Sequence, residues 1–316
     1  MSRGGWSVYI PTHRWERKGG LDAKRVTATV TTMVDFEDAF SAPLSLGREI
    51  VETGFGLVTA LCSESMNLDT RPEATIFRLG LSATANTRAG LVCLRSPETS
   101  VAALPLLRGI LEAWSHVAFI VGDRGVGGFV YDREAALCRA LSYERGAFRE
   151  WGDAVKGAPG GALDRQRWQA TRSANLQMLD VAAQQAGCSD RPRTRGQVRT
   201  TLNELAQYET YSWLPHAYKT TSAATHMYTS DYLLRDNGTG ESDLVWSLPS
   251  YRAGWLVHLA VAFTSVSSTA ANGITDQATR TWTLPASQQL HELTGELVEH
   301  PSLRRAVELA YDKDPH

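Results

Sequence analysis

Hydrophobic residues recur at the three- and four-residue spacing of amphipathic helices along most of the chain. Polar or glycine-rich breaks separate the hydrophobic segments, as expected between helices. The predicted helices cover residues 44–65, 73–96, 98–121, 132–151, 164–187, 195–208, 215–234, 250–271, 285–299 and 301–311. The sequence therefore predicts an all-α multi-helix bundle of roughly eight to ten helices.

The first 43 residues lack this helical spacing and contain a β-branched run, VTATVTTMV. We therefore predict an irregular N-terminal arm over residues 1–43, with at most one short strand or helix. Residues 44–316 are expected to form a single all-helical domain, since a chain of this length supports one large core.

Local signals define several helix ends. Asp132 is a candidate N-cap for the helix that follows it, and Pro215 suits the first turn of another helix. The asparagine and glycines of DNGTGESD, residues 236–243, are expected to end the helix predicted over 215–234.

The helix predicted over 98–121 is apolar around nearly its whole circumference, which is typical of a central helix. Arg108, Glu112 and His116 interrupt it at four-residue intervals and so form one polar stripe. Buried charges need partners, because an uncompensated ion costs several kcal/mol. One interpretation is an Arg108–Glu112 ion pair, flanked by His116, that only locks helix packing; the other is that the stripe faces a binding cavity.

A second stripe supports the cavity hypothesis. In YKTTSAATHMYTSDY, residues 218–232, Tyr218, Ser222 and His226 follow the same four-residue interval among small side chains. Two such stripes in one bundle can face each other across a shared site. We therefore expect these three residues to face Arg108, Glu112 and His116.

The segments LLRGILEAWSHVAFI at 106–120 and YKTTSAATH at 218–226, together with Arg139 and Tyr143, resemble the bacterial domain-of-unknown-function family 5677. The resemblance covers about residues 44–270. It implies a helical fold and supports the pairing of the two polar stripes. It implies no particular reaction.

The six stripe residues predict a catalytic site without a metal. Glu112 would orient His226 or His116 as a general base, while Arg108 would hold an anionic group or a developing oxyanion. Ser222 would be a nucleophile, a hydrogen-bond donor or only a small residue at a helix crossing.

Aromatic residues are dense over 208–255, and rings beside a polar stripe make a pocket for a small organic ligand. Trp114, Tyr143, Tyr228 and Trp255 are the predicted substrate-binding residues. The sequence thus favours a small-molecule enzyme or ligand-binding protein, and it names no cofactor.

Two alternatives stay open. Glu112, His116 and His226 could form a metalloenzyme site, although Arg108 one turn away would repel a cation. Arg252 and His258, in YRAGWLVH, have the spacing of the arginine and histidine of HEPN ribonucleases, metal-independent helical enzymes that usually act as dimers. A single pair at this spacing also arises by chance.

Composition limits the classes of partner that we expect the protein to bind. The net charge of −2 provides no general attraction to nucleic acid or to anionic lipid, so a nucleic-acid partner is disfavoured. The longest apolar stretch, WLVHLAVAF, is too short to span a bilayer and contains a histidine, and the N-terminus lacks the apolar core of a signal peptide. The four cysteines form no CxxC pair and are expected to be reduced. We therefore expect a cytoplasmic protein without a membrane partner, and leave open whether it forms a homodimer.

Overall fold

The computed structural model describes most of the chain from residue 24 to residue 304. The described ranges are 24–60, 72–122, 131–156, 162–189, 191–194, 196–208, 211–225, 234–236, 242–244, 249–274 and 280–304.

The described residues form an all-α multi-helix bundle with one small hairpin. The elements are α1 Lys24–Ala60, α2 Pro72–Cys93, a 3₁₀ turn Ser100–Ala102, α3 Ala103–Val121, α4 Arg133–Lys156, α5 Ala162–Gln185, α6 Gly196–Leu205, α7 Leu214–Thr225, β1 Leu234–Asp236, β2 Ser242–Leu244, α8 Pro249–Ile274 and α9 Arg280–Val298. The helical periodicity thus predicted the fold class correctly.

Helix α3 lies at the centre of the bundle, as its apolar circumference predicts. It packs against α2, α8, α7, α4 and α6, and residues such as Leu107, Ile110 and Trp114 are buried. Helix α8 is also mostly buried and packs against α1, α2 and α9. The polar stripe on α3 is therefore surrounded by several helices.

Within the described part of the chain, two segments are long and apolar enough to cross a membrane, Ser100–Val121 and Tyr251–Ala271. The second is longer than the apolar stretch WLVHLAVAF that it contains. In the bundle, however, 61% of the most apolar 18-residue stretch of the first segment and 89% of that of the second are buried against protein. Burial of this kind is also found in the core helices of proteins that never enter a bilayer.

The predicted boundary at residue 43 lies inside a helix. Helix α1 begins at Lys24 and continues through Pro43 to Ala60, so residues 24–43 are helical rather than irregular. The run VTATVTTMV was a weak signal against helix, because β-branched residues lower helix propensity only slightly and neighbouring packing overrides that preference. Residues 1–23 lie outside the described ranges.

The helix predicted over 215–234 was too long. Helix α7 ends at Thr225, and Leu234 belongs to β1, which pairs antiparallel with β2 in the register Leu234↔Leu244. The Asn-Gly pair of DNGTGESD lies between the two strands. Asn-Gly is a strong hairpin signal as well as a helix terminator, and here the hairpin is formed.

Two predicted helix starts are confirmed. The Asp132 Oδ1 atom accepts hydrogen bonds from the backbone N–H groups of Glu134 and Ala135, both at 3.1 Å, and so caps α4. Pro215 lies in the first turn of α7, where its missing N–H breaks no helical hydrogen bond.

The expectation of reduced cysteines was wrong for one pair. Cys138 on α4 and Cys188 after α5 form a disulfide, with 5.3 Å between their Cα atoms. They are 50 residues apart and meet because α4 and α5 pack together, a proximity that no local motif reveals. Cys93 is a free thiol, and Cys62 lies outside the described ranges.

Candidate functional site

Tyr218 of the second predicted stripe contacts Glu112 and Arg108 of the first stripe, between α7 and α3. Glu112 Oε1 accepts a hydrogen bond from Arg108 Nε at 2.9 Å and another from the Tyr218 hydroxyl at 3.4 Å. The Arg108 guanidinium carbon lies 5.6 Å from the centroid of the Tyr218 ring. Burial, and then the negative charge of Glu112, raise the pKa of the Tyr218 hydroxyl. Tyr218 therefore stays protonated and acts as a donor towards the carboxylate.

Ser222 lies one turn after Tyr218 on α7. Its Oγ atom is buried and has no hydrogen-bond partner among the described residues. Buried hydroxyls are normally bonded, so this atom is available to a group that the described chain does not supply. His226 and Tyr228, which complete the predicted set on this side, lie outside the described residues.

His116 has a different partner from the one expected. Its Nδ1 atom accepts a hydrogen bond from Arg193 Nε at 3.1 Å. Nδ1 must then be unprotonated, and the network assigns the proton of the neutral ring to Nε2. Burial, and then the positive charge of Arg193, lower the pKa of His116 to about 3. His116 is therefore a neutral hydrogen-bond donor, and the expected role as a general base oriented by Glu112 does not fit this geometry.

Arg193 is the residue of this site that the sequence did not single out. Its side chain is only 4% exposed, and Nη2 donates to the hydroxyl oxygens of Ser115 at 3.0 Å and Thr201 at 2.9 Å. The Phe119 ring covers the guanidinium, with 4.0 Å between Cζ and the ring centroid. The loop that carries it, CSDRPRTRGQVR, contains several arginines and has no periodicity that would distinguish the buried one.

One face of α4 holds the Arg193 segment in position. The Arg193 backbone N–H donates to the Ser142 carbonyl at 2.9 Å, and the Ser142 hydroxyl donates to the Arg191 carbonyl at 2.5 Å. One turn further along α4, a Cβ on Gly146 would lie 1.7 Å from the Arg193 carbonyl oxygen. One turn before Ser142, Cys138 carries the disulfide to Cys188. Glycine, serine and cysteine at four-residue intervals thus dock the segment along α4.

The predicted aromatic residues divide between two places. The Tyr143 ring lies 4.5 Å from the His116 ring, and burial raises the pKa of its hydroxyl. Trp114 is buried against the edge of Tyr211 at 5.0 Å, and its Nε1 atom has no hydrogen-bond partner in the described part of the chain. Trp255 instead packs against His258, with 5.4 Å between ring centroids. Among the predicted rings that the structure describes, Tyr143 is therefore the one seen to contact a stripe residue, His116.

Arg252 and His258 are both inside the protein. Arg252 is 1% exposed and donates through Nε and Nη2 to the Leu94 carbonyl, at 3.2 and 2.7 Å. Leu94 follows α2, so Arg252 satisfies a carbonyl at the end of that helix. His258 is 5% exposed, and its Nδ1 donates to the Gly254 carbonyl at 2.6 Å. These contacts give both residues a structural role, and the described residues leave both side chains almost fully enclosed.

The described residues contain no group of three histidine, cysteine, aspartate or glutamate side chains arranged to hold a metal ion. Glu112 is bonded to Arg108, and the Nδ1 lone pair of His116 faces Arg193. The third proposed ligand, His226, lies outside the described ranges. The neighbouring guanidinium groups make this pair a poor beginning for a cation site.

The fold and the site together define an all-helical protein with a half-buried cluster of ionisable and hydroxyl side chains around its central helix. Comparison of the chain with protein-family models, curated proteins and solved structures finds no match. The resemblance to the domain-of-unknown-function family 5677 therefore stays a prediction from the sequence motifs.

Proposed function

We propose that this chain is a small-molecule enzyme or ligand-binding protein whose polar site lies between α3 and α7. The hydrogen bond between Tyr218 and Glu112 is the observation that supports this most directly. It joins side chains 106 residues apart in the sequence and brings a carboxylate, a guanidinium and a phenol together. One turn further along α7, the Ser222 hydroxyl is buried and has no hydrogen-bond partner among the described residues. Several convergent polar groups at one point are typical of ligand sites.

The chemistry that suits these groups is proton transfer next to a polarised oxygen. Glu112 is the candidate base, because a carboxylate can accept a proton from a bound ligand. Arg108 keeps the carboxylate in place, and Tyr218 donates a hydrogen bond to it. His116, neutral and protonated on Nε2, can donate to a carbonyl or oxyanion without itself gaining charge. His226 keeps its proposed role as a further acid or base of the site.

No contact among the described residues supports the ribonuclease or the metalloenzyme alternative. A ribonuclease that uses Arg252 and His258 needs both groups to reach RNA, whereas both are buried. A metalloenzyme that uses Glu112 and His116 would have to displace the guanidinium groups bonded to them. We therefore retain the metal-free small-molecule site as the proposal.

Native mass spectrometry of the purified protein, followed by thermal-shift screening of a metabolite library, tests the proposal. We expect a bound or stabilising small molecule whose affinity falls in Glu112→Gln and in Tyr218→Phe. A matched control is Glu52→Gln, which removes a similar ion pair, with Arg88 between α1 and α2. If the ligands bind equally well to all three variants, the site lies elsewhere and the proposal fails.

A further inference from the structure

Among the described residues, the buried guanidinium of Arg193 has no carboxylate partner. Within the described ranges no ion pair or hydrogen bond joins it to an aspartate or glutamate; its acceptors are the His116 ring, two hydroxyl groups and, at 3.4 Å, two backbone carbonyls. The carboxylate of Glu204, which affects it electrostatically, is exposed on α6. An enclosed positive charge that is surrounded only by neutral dipoles is energetically unfavourable.

The donors of Arg193 are not all used. Nε faces His116, and Nη2 faces the hydroxyls of Ser115 and Thr201, whereas no described residue accepts from Nη1. Burial lowers the pKa of Arg193 to about 10, which still leaves it charged at neutral pH. The group therefore retains a full positive charge and two unused N–H donors at Nη1.

We propose that Arg193 is the anchor for the carboxylate of a small organic monoanion, with the neutral His116 Nε2–H as a neighbouring donor. This inference rests on the proposed small-molecule function and specifies the class of ligand. A guanidinium binds a carboxylate through strong charge-assisted hydrogen bonds, and an anion would neutralise the buried charge.

The charge balance favours a monoanion over a phosphate dianion. Arg108, the other arginine on this side of α3, is already paired with Glu112, so one positive charge remains to be neutralised. A dianion would bring a second, unmatched negative charge into the same enclosed region. The rings of Phe119 and Tyr143, which cover Arg193 and His116, suit the apolar body of an organic acid better than an inorganic ion.

The position of Arg193 is fixed before any ligand binds. Ser142 accepts a hydrogen bond from the Arg193 backbone N–H and donates one to the Arg191 carbonyl. The close approach of Gly146 and the nearby Cys138–Cys188 disulfide also hold this segment on α4. An arginine that is already ordered loses little further freedom when it binds an anion. Its burial distinguishes it from Arg191, which is exposed in the same loop.

Sodium benzoate, acetate, phosphate and chloride, compared at constant ionic strength, are suitable probes. We expect benzoate to raise the thermal midpoint in a saturable way, and more than chloride does. In Arg193→Gln the affinity for benzoate should fall roughly 10- to 100-fold, the usual effect of losing a charge-assisted hydrogen bond. Arg199→Gln removes an exposed arginine from α6 and should leave the affinity unchanged.

A second measurement uses the unmodified protein, in case Arg193→Gln does not fold. Benzoate should shift the His116 Nε2–H resonance in proton–nitrogen NMR spectra, with assignment from its absence in His116→Gln. Chloride should not reproduce that shift. Movement of this resonance to saturation supports the anchor even without the arginine variant.

Three results would overturn the inference: no saturable effect of any monocarboxylate, equal affinity in Arg193→Gln, or tighter binding of phosphate than of benzoate. The outcome is separable from that of the proposed function. If carboxylates bind through Arg193 but Glu112→Gln leaves all ligand binding unchanged, the Arg193 carboxylate site is supported and the proposed acid–base site at Glu112 is rejected. If screening finds ligands whose binding depends on Glu112 but not on Arg193, the acid–base site is supported and the Arg193 carboxylate site is rejected.

Discussion

Loss of the Cys138–Cys188 disulfide should destabilise the protein by about 4 kcal/mol. The bond closes a loop of 50 residues, and the chain-entropy relation gives about 4 kcal/mol for that length at room temperature. The effect arises mainly in the unfolded chain, which gains freedom once the link is removed. The native hydrogen bonds of Ser142 to the Arg191–Arg193 segment can persist without it.

Urea unfolding, followed by the fluorescence of the nine tryptophans, measures the change. The free energy of unfolding should fall in Cys138→Ser and in Cys188→Ser, and reductant should lower it in the unmodified protein but not in these variants. Cys93→Ser is the matched control, because Cys93 carries a free thiol; this variant should keep the full response to reductant. Peptide mapping without reduction should recover Cys138 linked to Cys188.

The reasoning is refuted if the unmodified protein and the Cys138→Ser variant unfold at the same urea concentration in the absence of reductant. It is also refuted if peptide mapping finds both thiols free while the protein has its full stability. In either case the docking of the 188–193 segment on α4 would depend on Ser142 and Gly146 alone.

Three further predictions concern single positions and are all measured by urea unfolding. Asp132→Ala removes the cap of α4 and should cost about 1 kcal/mol. Gly146→Ala should cost roughly 1–3 kcal/mol, because its Cβ would overlap the Arg193 carbonyl; Gly56→Ala, which has open space around it, should be neutral or slightly stabilising. Burial lowers the pKa of His258 from 6.5 to about 4. As the pH falls, His258 is protonated in the unfolded chain before it is protonated in the folded protein. The free energy of unfolding should therefore decrease by roughly 3 kcal/mol between pH 6.5 and about pH 4. His258→Gln should remove that part of the pH dependence, whereas His216→Gln, which removes only the smallest contribution to the lowered pKa of His258, should leave most of it. Equal pH profiles for these two variants would contradict the assignment.

The sequence predicted the helical parts of the fold well because helical periodicity is a local signal. The stripe of Arg108, Glu112 and His116 was visible for the same reason, as was the partner position Tyr218. The hairpin at 234–244 was missed because Asn and Gly serve equally well at a helix end and in a hairpin turn. The start of α1 was misplaced because β-branched residues oppose a helix only weakly.

The sequence could not predict Arg193 or the disulfide because both depend on contacts between distant segments. Arg193 contacts His116, 77 positions earlier, and nothing in its own loop marks it as buried. The partner of His116 could not be predicted for a related reason: spacing shows that a histidine shares a face with a glutamate, but its tautomer depends on which group bonds Nδ1. Packing between elements, rather than periodicity within them, determines the chemistry of this cluster.

The hydrogen bond from Arg252 to the Leu94 carbonyl has a consequence for biosynthesis. It links positions 158 residues apart, and α1 packs against both α8 and α9. The first two helices therefore cannot complete their packing until most of the chain has left the ribosome. Long-range contacts of this kind slow folding and leave apolar surface exposed meanwhile. We accordingly expect C-terminal truncations before α8 to yield aggregating chains rather than a smaller folded domain.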